Sequence, residues 1–269
     1  MGPISILTSI YSETNPLEFR DAVFSITAGQ TLKPSQIVIV INGPISSTLM
    51  DEINKLKKNL TIDFATIQLP INRGLANALN EGINKCRYEF VARMDMDDIA
   101  LPKRLELQYK YMLKHPSVQV LGGQITGWSN DMKHCLFKKR LPLTYQELKT
   151  WSKSRCPLNH PTVMFRKSTI IQYGCYPDSP LQDYQLWIKL IRAGKVIENL
   201  RFVLVKMRVE NAIRYRRGFS VLLSEIDFFK ELLSVGYISK FEYLKNIFSR
   251  LILRSLPGPI RLFFYRTLS

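Results

Sequence analysis

The segment Gln36–Ile41 constrains the fold of this chain more than any other feature. It reads QIVIVI, so β-branched apolar residues follow one another without a polar interruption. Such a run is typical of a strand that is buried on both faces, as in a parallel sheet covered by helices. Asn42, Gly43 and Pro44 follow it as a turn signal. The segment therefore predicts an α/β protein.

Strands and helices alternate in the pattern of residues 1–125. The predicted strands are Ile4–Ser9, Gln36–Ile41, Phe64–Gln68, Tyr88–Arg93 and Val118–Gly123, and the predicted helices are 16–28, 48–59, 75–85 and 102–115. This order predicts a mostly parallel sheet, whose ligands bind beyond the carboxyl ends of the strands. The loops expected at that edge are Tyr11–Thr14, Asn42–Pro44, Asn72–Gly74 and Asp95–Asp98.

Later residues divide into two regions. Residues 126–210 are less regular, with a predicted strand at Thr162–Arg166 and a predicted helix at Asp183–Ala193. From residue 211 the pattern is basic, aromatic and helical. We therefore expect an α/β domain over residues 1–210 and a basic amphipathic tail over residues 211–269.

Apolar and basic residues are interleaved in this tail. The apolar positions are Leu244, Ile247, Phe248, Leu251 and Ile252, and the basic ones are Lys245, Arg250 and Arg254. Such a segment can lie in the headgroup layer of an anionic membrane. The alternative is a helix that packs on the α/β domain and presents a solvated basic face. The sequence leaves both interpretations open.

Charge and hydropathy restrict the partners and the location. The chain has 38 Lys and Arg against 22 Asp and Glu, a formal net charge of +16. This excess indicates a polyanionic partner: nucleic acid, anionic lipid or a phosphorylated substrate. The start resembles no signal peptide, and no apolar run approaches the ~20 residues of a spanning helix. We therefore expect a cytoplasmic protein, either free or attached to the inner face of the cytoplasmic membrane.

Asp95, Asp97 and Asp98 form an unusual acidic cluster in so basic a chain. Alternate residues of an extended segment share a face, so Asp95 and Asp97 can point the same way. Carboxylates this close repel one another unless a cation neutralises them, and hard oxygen ligands suit Mg²⁺ or Mn²⁺. The alternative is that these acids cap the helix that Pro102 begins.

Six segments, in order along residues 3–210, resemble the family-2 glycosyltransferases. They are SILTSIYSETNP, VIVINGP, NRGLANALNEGI, EFVARMDMDDIALPKRLELQ, NHPTVMFRKS and LQDYQLWIKL. Within that family, the segments resemble those of bacterial O-antigen and exopolysaccharide sugar transferases. This resemblance implies the GT-A nucleotide-sugar-binding fold, a Rossmann-like mixed and mainly parallel sheet, here with a C-terminal basic helical extension. It also implies a metal-dependent hexosyltransferase.

The resemblance also implies which residues hold the donor. Tyr11 and Glu13 belong to the first nucleotide-contacting loop, with Glu13 near the uridine. Asn42 stands where many members carry an Asp that reads uracil. Arg73 and Gly74 resemble the loop near the donor phosphates, where a cation and a bare backbone suit the ligand.

For the chemistry, the resemblance implies that Asp95 contacts the ribose or the donor sugar and shares the metal with Asp97. Asp183 resembles the catalytic base, and Gln182 replaces a Glu that many members carry. His160 is a candidate for the acceptor pocket. Taken without the family, Asp183 reads as a helix N-cap and His160 as a structural residue.

The implied reaction is an inverting transfer of a hexose from a UDP-sugar, glucose or galactose, to a polyprenyl-diphosphate-linked saccharide. One base without a carboxylate nucleophile implies inversion, and hence a β linkage from an α-linked donor. A nucleotidyltransferase is a rival, but Ser9–Pro16 contains neither the Gly nor the basic residue of its phosphate loop. A nucleic-acid-binding module is another rival. The sequence contains no zinc-finger spacing and no RNA-recognition motif that would support this alternative, so we expect no nucleic-acid partner.

Overall fold

A computed structural model describes residues 1–209 and 219–255 of this protein. The strands are β1 (Gly2–Ile10), β2 (Pro34–Asn42), β3 (Asp63–Leu69), β4 (Phe90–Arg93), β5 (Ile99–Ala100), β6 (Val118–Trp128), β7 (Cys135–Lys139), β8 (Met164–Arg166) and β9 (Val196–Arg208). The helices are α1 (Pro16–Ile26), α2 (Ser47–Asn59), α3 (Gly74–Lys85), α4 (Arg104–Lys114), α5 (Tyr145–Trp151), α6 (Lys167–Gln172), α7 (Gln182–Arg192), α8 (Phe219–Ser234) and α9 (Lys240–Ser255).

All nine described strands belong to one sheet. Its order is β3-β2-β1-β4-β8-β6-β9-β5, and β7 pairs with β6. The pairs β1–β2, β1–β4, β2–β3 and β6–β9 are parallel, whereas β8 is antiparallel to both β4 and β6. The predicted α/β class and the mixed, mainly parallel sheet are therefore confirmed.

Helices cover both faces of this sheet, as the apolar run in β2 predicts. Ile37 and Ile39 pack into a core with α1, α2 and α4. Val38, one position out of phase with them, packs into a second core with α3 and α7. All three side chains are fully buried. Successive side chains of a strand point to opposite faces, so a continuous apolar run satisfies both cores.

The structure corrects several predicted boundaries and adds one long strand. The first helix ends at Ile26 rather than at residue 28, and the region predicted as a strand from Thr162 begins as a 3₁₀ turn at His160–Thr162. The strand β9 was not predicted. Its sequence mixes charged and apolar residues without a regular alternation, and its one apolar run, at residues 202–205, is only four residues long. In the structure, it pairs with β6 along most of its length.

The helices α8 and α9 account for the described part of the predicted basic tail, and residues 211–218 and 256–269 lie outside the described residues. Phe228, Phe229 and Leu232 of α8 pack against Tyr184 and Ile188 of α7. The predicted helical extension is thus confirmed over residues 219–255, where it rests on the α/β unit. In the described part of the chain, each helix is too short or too polar to cross a bilayer.

The close approach of α3 to the sheet depends on Gly82. A Cβ at this position would lie 2.3 Å from Leu7 Cδ1 and 2.9 Å from Val40 Cγ2.

We expect Gly82→Leu to lower the free energy of unfolding by about 1–3 kcal/mol or more through overpacking. Urea titration would measure the loss. Asn84→Leu, on the exposed side of the same helix, is the matched control, and an equal loss in both variants would contradict this packing argument.

Candidate active site

The acidic cluster lies where β4 leaves the sheet. Met94 and Met96 are buried, whereas Asp95 is half-buried and Asp97 is exposed. The acids lie on a turn rather than on the extended segment that the sequence predicts, since the Asp98 N–H faces the carbonyl oxygen of Asp95 at 3.5 Å. Met94 and Met96 fix this turn to the core. One carboxylate oxygen from each of Asp95, Asp97 and Asp98 lies within 4.8 Å of the others. The chain thus concentrates three acids at the carboxyl edge of the parallel strands.

A buried arginine at the end of β4 forms an ion pair with one acid of this cluster. Arg93, the last residue of β4, is 2% exposed and donates from Nη1 to Asp95 Oδ2 at 2.7 Å and from Nη2 to Asp95 Oδ1. Arg104 Nη2 in turn donates to the carbonyl oxygen of Arg93 at 2.5 Å. A bidentate pair fixes the plane of a carboxylate as well as its charge. Asp95 is therefore oriented by the protein itself.

A second arginine holds the cluster from the end of β9. The backbone N–H of Arg208 donates to Asp98 Oδ1 at 3.0 Å, and Arg208 Nη1 donates to the carbonyl oxygen of Asp97. Arg208 Nε donates to the carbonyl oxygen of Asn130 at 3.0 Å and lies 3.6 Å from Glu18 Oε1. Arg208 thus joins the acidic segment to α1 and to the end of β6.

The remaining acids have properties that fit a divalent cation. Burial and the charge of Asp95 raise the pKa of Asp97 to about 6, although this side chain stays open to solvent on one side. Burial and the charges of Asp97 and Asp95 raise the pKa of Asp98 well above its usual range. Asp98 Oδ2 is buried and has no hydrogen-bond partner within residues 1–209 and 219–255. Crowded carboxylates with an orphaned oxygen suit Mg²⁺ or Mn²⁺.

The alternative role of these acids as helix caps is wrong. The helix α4 begins at Arg104 with Lys103 at the N-cap position and without a side-chain cap. The three acids are at least five positions before that cap. The cluster is therefore not explained by the needs of the next helix.

Asn42 ties together two of the loops that the sequence places at this edge. Its Nδ2 donates to Asn72 Oδ1 at 2.9 Å and to the carbonyl oxygen of Gly74 at 3.1 Å. Its Oδ1 accepts from the backbone N–H of Arg73 at 2.9 Å. Both ends of this buried amide are used within the protein. An Asp at position 42 would lack the N–H donors, so the amide fits the conformation of the Asn72–Gly74 loop.

The predicted donor residues lie on loops that follow β1, β2 and β3, which are parallel and occupy consecutive positions in the sheet. Ile10, at the end of β1, lies opposite Ile41 of β2, so the loop with Tyr11 and Glu13 begins beside Asn42. Tyr11 and Glu13 are exposed. Arg73 and Gly74 are also exposed, and Gly74 has a φ of +81°, a conformation that favours glycine. Tyr11, Glu13, Arg73 and Gly74 therefore present accessible groups at the edge that carries the acids.

Asp183 is the second residue of α7 and does not cap it. The N-cap position is Leu181, and no side chain caps this helix. The half-buried carboxylate of Asp183 instead accepts a hydrogen bond from Cys156 Sγ to Oδ2 at 3.5 Å. Gln182, the first residue of α7, is half-buried beside it. The N-cap interpretation of Asp183 is therefore wrong.

His160 is half-buried and lies against two buried aromatic side chains. Its Nε2 lies 3.1 Å from the hydroxyl of Tyr176, and its ring centroid lies 6.3 Å from that of Trp187. Burial and the charge of Arg93 lower the pKa of His160 well below its usual range, so the imidazole is neutral. Burial raises the pKa of Tyr176, and the charges of Asp183 and Asp95 add to the shift. Tyr176 therefore lies within electrostatic reach of both acids.

Sequence reasoning missed three residues of this site. Arg93 had a usable signal, because a cation at the end of an apolar strand directly precedes the acids. Arg208 lies in the strand that was not predicted. Cys156 lies in an irregular segment, 27 positions before Asp183, and nothing in its sequence indicates that contact.

Residues 5–173 match the family model described as glycosyl transferase family 2. This range begins in β1 and ends at Tyr173, the residue after α6. It contains the predicted donor loops and the acidic cluster. The chain belongs to glycosyl transferase family 2.

Two bacterial relatives match the chain almost from end to end. It is 33% identical over 264 residues to the UDP-Gal:alpha-D-GlcNAc-diphosphoundecaprenol beta-1,3-galactosyltransferase of Escherichia coli, covering 97% of this chain and 94% of that protein. It is 32% identical over 263 residues to the amylovoran biosynthesis glycosyltransferase AmsE of Erwinia amylovora, covering 97% of each.

Solved structures bear out the GT-A fold. The mannosyltransferase PcManGT from Pyrobaculum calidifontis, in complex with GDP-Man and Mn²⁺, superposes with a TM-score of 0.66. The two proteins are 14% identical, and the match covers 97% of this chain and 72% of PcManGT. At this identity, the likeness describes the fold and not the substrate.

We expect Mn²⁺ to bind this protein more weakly at about pH 5.5 than at about pH 7.5. The pKa of Asp97 is raised to about 6, so protons compete with the cation below that value. Titration calorimetry should show an affinity lower by roughly fourfold at the acidic pH. In Asp97→Asn, the affinity should be weak and should lose this pH dependence. Equal affinity of the unchanged protein at both pH values would contradict the assignment.

Proposed function

We propose that this enzyme transfers a hexose, glucose or galactose, from a UDP-sugar to a saccharide carried on a polyprenyl diphosphate, with inversion and a β linkage. The product would belong to O-antigen, capsule or exopolysaccharide biosynthesis. One observation supports the proposal most directly: the acidic cluster follows β4 at the carboxyl edge of the parallel strands, the edge at which the loops after β1, β2 and β3 also lie. A relative 33% identical over 97% of this chain, whose name specifies UDP-Gal and a lipid-linked acceptor, supports the choice of substrates.

Donor binding, in this proposal, uses the two loops beside Asn42. Tyr11 and Glu13 contact the nucleoside, and Asn42 holds the Asn72–Gly74 loop in shape through its three hydrogen bonds. Arg73 and the exposed backbone of Gly74 then approach the diphosphate. A guanidinium suits phosphate oxygens, and glycine lets the backbone come close to them.

Asp95 and Asp97 have different roles at the donor in this proposal. Asp95, which Arg93 holds in one plane, accepts hydrogen bonds from the ribose or the donor sugar. Asp97 provides a metal ligand, and Asp98 supports it from the buried side. A bound Mn²⁺ or Mg²⁺ supplies neutralisation of the charge that develops on the leaving diphosphate.

Asp183 acts as the general base in this proposal. It removes the proton of the acceptor hydroxyl while that oxygen attacks the anomeric carbon, and the bond to the diphosphate breaks on the opposite side. The Cys156 thiol donates to Asp183 Oδ2, which leaves Oδ1 for the acceptor. Gln182 and the neutral His160 lie on the acceptor side.

We also propose that the enzyme works peripherally on the inner face of the cytoplasmic membrane. A polyprenyl-linked acceptor is confined to a bilayer, so the enzyme must meet it there. The net charge of +16 favours anionic headgroups and the acceptor diphosphate alike.

We expect Asp183→Asn to lower the transfer rate by about 10²-fold or more, because an amide cannot accept the acceptor proton. Donor binding, measured by calorimetry, should stay within about twofold of the unchanged enzyme because Asp183 faces the acceptor. Asp178→Asn, an exposed acid just before α7, is the matched control and should retain full activity. Near-normal turnover of Asp183→Asn would refute its role as the base.

A panel of nucleotide sugars with Mn²⁺ tests the donor. We expect UDP-glucose or UDP-galactose to raise the midpoint of thermal unfolding, since a ligand at about 100 times its dissociation constant stabilises by about 2.7 kcal/mol. The same ligand should act weakly on Asp97→Asn. Stabilisation by GDP-mannose and not by any UDP-sugar would contradict the proposed donor.

A further inference from the structure

The outward face of α9 is apolar, which is unusual for a helix at a protein surface. Phe241, Leu244 and Phe248 are 75%, 65% and 66% exposed, and Leu251 and Ile252 continue the same stripe at 44% and 46%. Residues at positions i, i+3, i+7, i+10 and i+11 lie on one side of a helix. We call these five residues the α9 stripe. Three large side chains that are mostly exposed on adjacent turns form a patch rather than isolated contacts.

The inward face of α9 carries polar contacts that fix the rotation of the helix. The buried Asn246 donates from Nδ2 to the carbonyl oxygen of Lys153 at 2.8 Å. Arg250 Nη2 donates to the carbonyl oxygen of Ser154 at 2.7 Å, and its guanidinium lies 4.1 Å from the ring centroid of Phe229. Turning the stripe toward the core would break these bonds. The protein therefore holds the apolar side outward, and Arg250, one of the basic residues interleaved with the apolar ones in the sequence, points inward.

The charge beside the stripe indicates what it contacts. Residues 240–269 contain six Lys or Arg and one acid, Glu242. Glu242 accepts from Lys153 Nζ at 3.0 Å and from the backbone N–H of Ser239 at 2.7 Å. Lys240 and Lys245 are exposed next to the stripe. Apolar side chains flanked by lysines suit an anionic lipid surface. A second copy of the chain, with the same excess of positive charge, is a poorer partner.

The residues that the inner face of α9 contacts belong to the same chain segment as Cys156, which contacts the proposed base Asp183. Lys153 and Ser154, which α9 binds, are followed by Cys156, whose thiol contacts Asp183. The hydroxyl of Tyr184 also donates to the carbonyl oxygen of Ser152 at 2.7 Å. The α9 stripe is therefore on the outer side of the segment that supports Asp183.

We propose that the α9 stripe docks the enzyme on an anionic phospholipid bilayer and so brings the Asp183 side of the site to the membrane. The location of the docking surface is independent of the reaction. Its use in reaching a lipid-linked acceptor rests on the proposed function.

Vesicle sedimentation with the full chain tests the surface. The test variant is Phe241→Gln, Leu244→Gln and Phe248→Gln. The control variant is Phe24→Gln, Leu113→Gln and Ile171→Gln, which removes three exposed apolar residues from α1, α4 and α6. On vesicles containing phosphatidylglycerol, the test variant should bind about tenfold less tightly or worse, and the control should match the unchanged protein. Phosphatidylcholine vesicles should capture several-fold less protein, and added salt should weaken binding to the anionic ones.

Two outcomes would overturn the proposal. In one, the test variant binds anionic vesicles as tightly as the control, so that other basic residues suffice. In the other, the test variant changes only the oligomeric state in light scattering, so that the stripe joins two copies of the chain. Circular dichroism and thermal unfolding verify that both variants fold, which the exposure of the replaced side chains favours. The assay contains no sugar donor, so its result stands apart from the outcome for Asp183→Asn.

Discussion

Three carboxylates are held together at the end of one strand by arginines on two sides, and the rest of the site depends on that arrangement. Arg93 pairs with Asp95 from within the sheet, and Arg208 contacts the backbone of Asp97 and the side chain of Asp98 from β9. Like charges at this distance destabilise a fold unless they are compensated. The arginines compensate part of the charge and leave the cluster able to accept a cation. The turn that carries the acids is therefore held in place from both β4 and β9.

The parallel half of the sheet could be predicted because its strands are continuous and apolar. The residues Ile37, Val38 and Ile39 specify burial on both faces, and burial on both faces requires helices above and below. The strand β9 could not be predicted in the same way. It contains Glu198, Arg201 and several side chains that are only half-buried, so neither period stands out. Because β9 was missed, the contribution of Arg208 to the acidic cluster was missed with it.

In the candidate site too, features that are local in the sequence could be predicted, whereas contacts between distant segments could not. The three acids are visible in the sequence as a cluster, but the turn that brings their carboxylates together is not. The contact between Cys156 and Asp183 joins an irregular segment to the start of a helix, and no periodicity encodes it. Capping rules favoured a structural role for Asp183, but α7 begins without a side-chain cap. Tertiary contacts, rather than the needs of the helix, determine what that carboxylate does.

The inner face of α9 has a consequence for how this enzyme can be shortened. One way to shorten the chain is to remove α9. This cut would delete Asn246 and Arg250 and leave the carbonyl oxygens of Lys153 and Ser154 without their donors. Both residues are half-buried, so the freed carbonyl oxygens would turn toward water and the segment would lose two hydrogen bonds that hold it in place. A shorter chain would therefore lose contacts that support the segment leading to Cys156 and Asp183.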